Sequence, residues 1–197
     1  MYQFTIDSSP LGRLTMASDG KNLTGLWIEG QKYFGAQNSC IGSGEIGEER
    51  QLPVFDEAKD WLRQYFAGEK PLISELPLCP EGSRFRQEVW KLLCQIPYGE
   101  VTTYGALAQK MAAQMGKNHM SAQAVGGAVS HNPVSIIIPC HRVVGADGSL
   151  TGYAGGTERK LWLLEHEECE ITRFLSKKEK EKIFINSQKV VENNEKQ

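Results

Sequence analysis

Cys140 and His141 stand side by side in Pro139-Cys140-His141-Arg142-Val143. A thiolate is a strong nucleophile, and a neighbouring imidazole can take its proton or hold it charged. Adjacent side chains of an extended chain point opposite ways, so a direct Cys140–His141 hydrogen bond would need a sharp turn; otherwise a water must bridge them. Glu167, at the end of the last apolar-faced helix, can orient the imidazole and complete a nucleophile–base–orienter chain. The same dipeptide also fits a buried structural cysteine beside a satisfied histidine, and the residues alone leave both readings open. Metal chemistry finds less support. The four histidines (His119, His131, His141 and His166) all follow Cys40 and Cys79, and no C-x-x-C or H-x-x-x-H spacing occurs. With no phosphate loop or dinucleotide fingerprint either, no metal and no cofactor is expected.

The elements that must position these residues fall into two parts. The first reads as β. Tyr2 to Ile6 alternates apolar and polar, and Leu14–Ala17 and Leu23–Ile28 flank Asp19-Gly20, a strong hairpin signal. Residues 35–50, rich in Gly and Ser, read as a loop. Pro53 opens a helix with Phe55, Ala58, Leu62, Tyr65 and Phe66 at helical spacing, and Gly68 stops it. Pro71 to Gly82, with three prolines, reads as an extended linker. The second part is mainly helical. Ser83 caps a helix with Phe85, Val89, Leu92, Leu93 and Ile96 on one stripe, where Cys94 reads as core. Thr102 or Thr103 caps a second helix to about Met115. Ser121 caps a third, Ala122 to about His131, stopped by Asn132-Pro133. Ser135 to Ile138 is a buried apolar run read as a strand leading to Cys140. Gly152 to Gly156 is a flexible loop, and a last helix runs from Thr157 to about Cys169. The expected boundaries are 1–81, 82–171 and a charged extension, 172–197, whose Lys177–Lys182 run reads as a solvated face.

The second and third helices of the latter part have the proportions of a helix-turn-helix. Ser121, Ala122, Gln123, Ala124, Gly126, Gly127, Ala128 and Ser130 are nearly all small. Such a helix lets a nucleic-acid backbone come close, with its first amides free for phosphate, but it lacks the long side chains that read a major groove. Tight helix–helix packing through small residues is the other explanation. Charge agrees with either. Residues 1–81 carry 7 Lys and Arg against 12 Asp and Glu, whereas 82–164 carry 8 against 4, within a chain of net charge −2. A polyanion would dock on the middle, yet the excess is too small to establish nucleic-acid binding. A length of 197 residues, 40% hydrophobic and 23% charged, fits one ordinary domain or two small ones and excludes a disordered chain. No stretch approaches a membrane span, and Met1 to Thr15 lacks the order of a signal peptide. Five unpaired-looking cysteines fit a reducing compartment, so the cytoplasm is the expected location.

Together, Ala124-Val125-Gly126-Gly127-Ala128-Val129, Asn132-Pro133, Ile138-Pro139-Cys140-His141-Arg142-Val143 and Gly152-Tyr153-Ala154-Gly155-Gly156 resemble the O6-alkylguanine-DNA alkyltransferases. The resemblance is strong over about 84–167, weaker over the β-rich part, and does not reach the tail after about Ile171. It implies an α/β N-terminal subdomain of ribonuclease-H-like shape and a mainly α C-terminal subdomain with a winged-helix-like (helix-turn-helix) DNA-binding element. It implies a monomer that binds double-stranded DNA carrying O6-alkylguanine through the minor groove and swings the base into a pocket. O4-alkylthymine is a second candidate lesion. Cys140 would take the alkyl group and keep it, so each molecule acts once. His141 matches the base acting through a water, Glu167 its orienting carboxylate, and Asn132 the brace of the cysteine turn. Tyr104 matches the hydroxyl that serves the departing guanine. The Val143 carbonyl, Tyr153, Ala154 and Gly155 match the guanine pocket. Thr103, Ser121, Gln123, Gly126 and Arg142 match the DNA-binding surface.

Two departures stand out. Gln123 occupies the place of an arginine that enters the duplex to fill the gap left by the flipped base, and it brings no charge. Ala154 stands where some relatives have serine, and its backbone amide can still donate to the guanine oxygen. A cysteine hydrolase built on Cys140, His141 and Glu167 would need an oxyanion hole, and it leaves the small-residue helix and the Tyr153 loop without a role. A lesion-binding relative that transfers nothing would replace the cysteine, and Cys140 is present.

Overall fold

The computed structural model describes residues 2–6, 8–36 and 51–170 and the backbone of 48–49. The extension from residue 172 and Cys40 lie outside the described residues.

Three strands form a meander: β1 (Tyr2–Ile6), β2 (Leu14–Ser18) and β3 (Leu23–Ile28). β1 and β2 pair antiparallel from Tyr2↔Ser18 to Ile6↔Leu14, and β2 pairs with β3 from Leu14↔Ile28. The turn between β2 and β3 is the expected one. Gly20 takes φ +106°, and the Asp19 carboxylate accepts from the N–H groups of Lys21 and Asn22. Glu48–Glu49, inside the stretch expected as a loop, forms β4 beside β1 and parallel to it, giving the order β3-β2-β1-β4. Helix α1 (Pro53–Phe66) starts on proline, where no N–H is needed. It lays Val54, Phe55, Ala58, Trp61, Leu62 and Tyr65 inward, and packs on β2 and β3.

The other edge of this sheet holds the rest of the molecule. The Pro71–Gly82 segment is more than a linker. It makes a 3₁₀ turn at Ile73–Glu75, then pairs with β3 through Leu23 N–H to Pro77 O and Cys79 N–H to Leu23 O. Farther along the same strand, Leu26 N–H donates to Pro133 O and Ser135 N–H to Leu26 O. β3 thus gives its exposed backbone groups to the approach to Cys140, which covers an edge and fixes the loop in one step.

The helical part comprises α2 (Arg84–Leu93), α3 (Tyr104–Gln114), α4 (Ala122–Ser130) and α5 (Thr157–His166). Ser83, Thr103 and Ser121 cap the first three, each hydroxyl accepting an N–H three residues on. β5 (Thr102–Thr103) and β6 (Val143–Val144) pair in parallel and tie the start of α3 to the chain after Cys140. One hydrophobic core runs through both parts, from Leu14 and Phe55 to Val89, Val125 and Leu163. Among the described residues no helix is long and apolar enough to cross a membrane.

The expected strand at 135–138 does not form. These residues are turns, and Ile136 is buried with φ +71°. Apolar runs look alike in strands and in buried turns. Here hydrogen bonds within the loop win: Ile137 N–H donates to Ser135 O and Ile138 N–H to Val134 O. A β-branched residue in the left-handed region is strained, and the surrounding packing holds it there.

Candidate active site

Cys140 sits at the first residue of a 3₁₀ turn, Cys140–Arg142. Pro139 before it adopts φ −82° and ψ 62°, and the Cys140 N–H donates to Ile138 O at 2.8 Å, an inverse γ-turn. The two turns supply the sharp bend that the dipeptide needed. Asn132 braces it from inside. Its Oδ1 accepts the Val134 N–H at 3.0 Å, and its Nδ2 faces Ile138 O at 2.8 Å, Val134 O at 3.2 Å and Cys140 Sγ at 3.1 Å. Two amide hydrogens share three acceptors, so the sulfur competes with carbonyls for a donor.

His141 is fully buried. Its Nε2 donates to Glu167 Oε1 at 2.7 Å, which leaves Nδ1 as the acceptor nitrogen, and Nδ1 has no protein partner. Glu167 is itself saturated. Oε1 also accepts from the Tyr65 hydroxyl at 2.7 Å and from an Arg142 terminal nitrogen at 3.0 Å; Oε2 accepts from Arg142 Nε at 2.7 Å and the Gly99 N–H at 3.4 Å. Burial alone would raise the Glu167 pKa, but hydrogen bonds from His141 and Arg142 and the charge of the Arg142 guanidinium hold it well below the usual carboxylate range. Burial pushes His141 the other way from Glu167's attraction and wins, so the imidazole is held below 6.5 and rests neutral.

Of the two roles open to the imidazole, taking the thiol's proton or holding a thiolate, the resting site does not show the second. Burial raises the Cys140 pKa above 9.0, and the Asn132 hydrogen bond and the Lys160 charge only partly offset this. The sulfur rests as a thiol beside a neutral base. Lys160 is completely buried on α5, donates to the Val143 carbonyl at 2.5 Å, and is brought down to about 8 by burial. Its side chain stands at a core register of its helix, with Leu163 and Leu164. A lysine on an apolar face was the signal for it in the sequence.

The other expected residues gather round this centre. Tyr104, at the start of α3, donates its hydroxyl to Thr151 O at 3.1 Å; burial, then the nearby Cys140, push it up to about 12, so it stays a proton donor. Gly152 (φ +84°) permits that approach, since a Cβ there would lie 2.7 Å from the Tyr104 oxygen. Tyr153 is buried with an unpartnered hydroxyl, and a Cβ on Gly155 would lie 2.5 Å from its ring. Ala154 gives its carbonyl to the Lys32 N–H at 2.9 Å, so the N-terminal part pins this loop too.

Along α4, Ser121, Gln123, Ala124 and Gly127 are exposed. A Cβ on Gly127 would meet nothing within 4 Å, and one on Gly126 only ordinary contact with Tyr104 at 3.6 Å. Packing therefore does not explain the small residues of this face. Thr103 is half-buried at the neighbouring helix start. Arg142, expected on the DNA surface, is not there. It is 6% exposed, and its guanidinium is spent on Glu167 and on Ile96 O at 2.6 Å. In the 3₁₀ turn its side chain points into the core, and it neutralises the buried carboxylate. Among the described residues no group of His, Cys, Asp and Glu gathers as a metal site.

Comparison with known proteins places this arrangement. Residues 1–80 match the family described as 6-O-methylguanine DNA methyltransferase, ribonuclease-like domain, and residues 84–169 match its DNA binding domain. A methylated-DNA–protein-cysteine methyltransferase of Haemophilus influenzae is 42% identical over 165 residues, 84% of this chain and 86% of the relative. The protein of that name from Mycobacterium leprae is 42% identical over 169 residues, 85% and 93% of the two chains. The crystal structure of Mycobacterium tuberculosis OGT in complex with DNA superimposes with a TM-score of 0.70 at 39% identity, covering 89% of this chain and all of that one.

The chain belongs to the 6-O-methylguanine DNA methyltransferase family.

The two-part fold expected from the sequence is that of the methyltransferase family, an N-terminal ribonuclease-like part followed by a DNA-binding part. Three residues of this methyltransferase site lay outside the sequence reading of its chemistry: Lys160, Tyr65, and Arg142 in its buried role. No signal along the chain pairs Tyr65 with Glu167, 102 positions away.

Proposed function

We propose that this protein repairs O6-alkylguanine in double-stranded DNA by transferring the alkyl group, once, to Cys140. The observation that carries the reading is the buried set of thiol, imidazole and carboxylate. A buried thiol on a rigid turn adjoins a neutral imidazole whose Nε2 is locked on a carboxylate and whose Nδ1 is unpartnered. A water between Nδ1 and Sγ passes the thiol proton to His141 as sulfur attacks the alkyl carbon. The S–C bond forms as the C–O6 bond breaks. The departing guanine becomes anionic, and the Tyr104 hydroxyl supplies a hydrogen bond or proton to it. The thioether is stable, so the protein does not turn over.

The exposed small face of α4 enters the minor groove, with Gln123 filling the gap of the extruded base and Ser121 and Thr103 on phosphates. The Val143 carbonyl and the Tyr153–Gly155 segment receive the guanine. We place the protein in the cytoplasm as a monomer, divided at 1–81 and 82–171. The deciding experiment mixes it with duplex DNA bearing one O6-methylguanine and weighs its peptides. One methyl on the Cys140 peptide, stoichiometric and without turnover, is the expected result; continued release of product would point to a hydrolase.

Two further outcomes follow from the geometry. Gln123→Arg restores a cation at the groove and should tighten duplex binding roughly threefold to tenfold, with a steeper salt dependence. Equal affinities in a fluorescence titration would remove Gln123 from the interface. The pH profile of single-turnover transfer should be flat through neutrality, because the base is already neutral. It should fall only as pH drops through the His141 value, below 6.5. A rate climbing steadily to the thiol's own pKa would show that His141 takes no proton.

A further inference from the structure

We infer that Tyr65, on the N-terminal α1, is a positioning residue of the proton relay: its hydroxyl shares Glu167 Oε1 with His141 and sets how strongly that carboxylate draws on the imidazole. Tyr65 is 1% exposed and held at both ends. The His166 Nε2 lies 2.7 Å from its main-chain carbonyl, and its own hydroxyl lies 2.7 Å from Glu167 Oε1. Trp61 stacks on its ring at 5.4 Å, and Tyr98 and Phe66 meet it edge-on at 6.0 and 5.5 Å. Nothing in this packing needs the hydroxyl. Burial first, then the carboxylate, hold the phenol protonated far above 10, so at working pH it is always a donor.

Charge on a carboxylate oxygen is divided among the donors that share it. Oε1 serves three: Tyr65, His141 Nε2 and Arg142. Arg142 is anchored independently through Oε2 and Ile96 O. Tyr65 and His141 are therefore the pair in direct competition. Removing the phenol donor concentrates charge on the His141 bond and makes the imidazole easier to protonate, which takes away the resting base. Other charged or titratable groups act on the pair: Arg142 and Lys160 lower His141, Tyr98 and Cys169 face Glu167, and Cys140 lies on the sulfur side. None of them shares Oε1 except Arg142. The N-terminal subdomain thus contributes an atom to the relay as well as a scaffold.

The inference rests on the proposed function for the base role of His141, and its test has an arm that needs no DNA. Tyr65→Phe keeps the ring and its packing. The proton on His141 Nε2, followed by nitrogen-edited NMR at neutral pH, should move downfield as its bond to Glu167 strengthens. The acid limb of methyl transfer should move to higher pH by roughly 0.5 to 1 pH unit. Tyr65→3-fluorotyrosine, a stronger donor of nearly the same shape, should move both readouts the opposite way and covers the case in which the phenylalanine variant folds poorly. An unmoved ring proton in both variants overturns the inference whether or not methyl is transferred. A uniform drop in rate with an unmoved acid limb makes Tyr65 merely structural and overturns it too. Failure of the wild type to take methyl, with the ring proton moving as stated, overturns the proposed function and leaves the Tyr65 coupling standing.

Discussion

Cys140→Ala should lose methyl transfer completely while keeping lesion-containing duplex bound. Asn132 and Lys160 both act on this sulfur. Asn132 points an N–H at it, Lys160 lies close enough to lower its pKa, and His141 is the base proposed to take its proton. Of the other described cysteines, Cys79 is exposed on the stretch that pairs with β3, while Cys94 has its pKa pushed up to about 11 and Cys169 to about 12, both chiefly by burial. The substitution removes one small buried group and should cost about 1 kcal/mol of stability. Mass spectrometry of the protein after incubation with O6-methylguanine duplex checks the first part, and a gel-shift with the same duplex checks the second. Methyl found on the variant would move the acceptor elsewhere and overturn the proposed function.

Glu167→Ala should be the most damaging substitution for stability. It strips a buried guanidinium of two of its three hydrogen bonds and leaves His141 Nε2 and the Tyr65 hydroxyl without an acceptor. Breaking one partner from a buried ion pair costs about 3–5 kcal/mol, a large share of the 5–15 kcal/mol that hold a typical domain folded. The variant should therefore melt well below the wild type. The effect also has a pH signature. Glu167 is held below its ordinary 4.5, so the stability it contributes is fully present above that pH and is lost as pH falls toward the folded-state value. The gap between wild type and Glu167→Ala should be widest at neutral pH and narrow in acid. Denaturant titrations at pH 7 and pH 4 measure it, and a gap that is constant with pH would mean that the carboxylate's charge contributes nothing.

Local patterns were enough for the elements. Proline at the start of α1, the serine and threonine caps of α2 to α4 and the Asp19-Gly20 turn are each decided by a few neighbouring residues, so they were legible along the chain. The Cys140-His141 pair, proposed as nucleophile and base, and the small-residue helix are short-range patterns and stood out along the chain too. The loop at 135–138 was not. An apolar run carries no mark of whether its backbone will pair with a strand or turn on itself, and hydrogen bonds to β3 and within the loop made that choice.

Charge and burial lay further still from the sequence. Arg142 carries the same charge on a DNA surface as beside a buried carboxylate, and only the bend of the Cys140–Arg142 turn sends it inward. The same burial leaves Cys140 a resting thiol, where its neighbours in sequence left thiol and thiolate both open. The sequence by itself determined which residues are available for chemistry and which helices and strands carry them, because both depend on short-range spacing. The tertiary structure decided which atoms share a carboxylate, which side chains are cut off from water and which protonation states are at rest, because these depend on groups up to 102 positions apart meeting in one core.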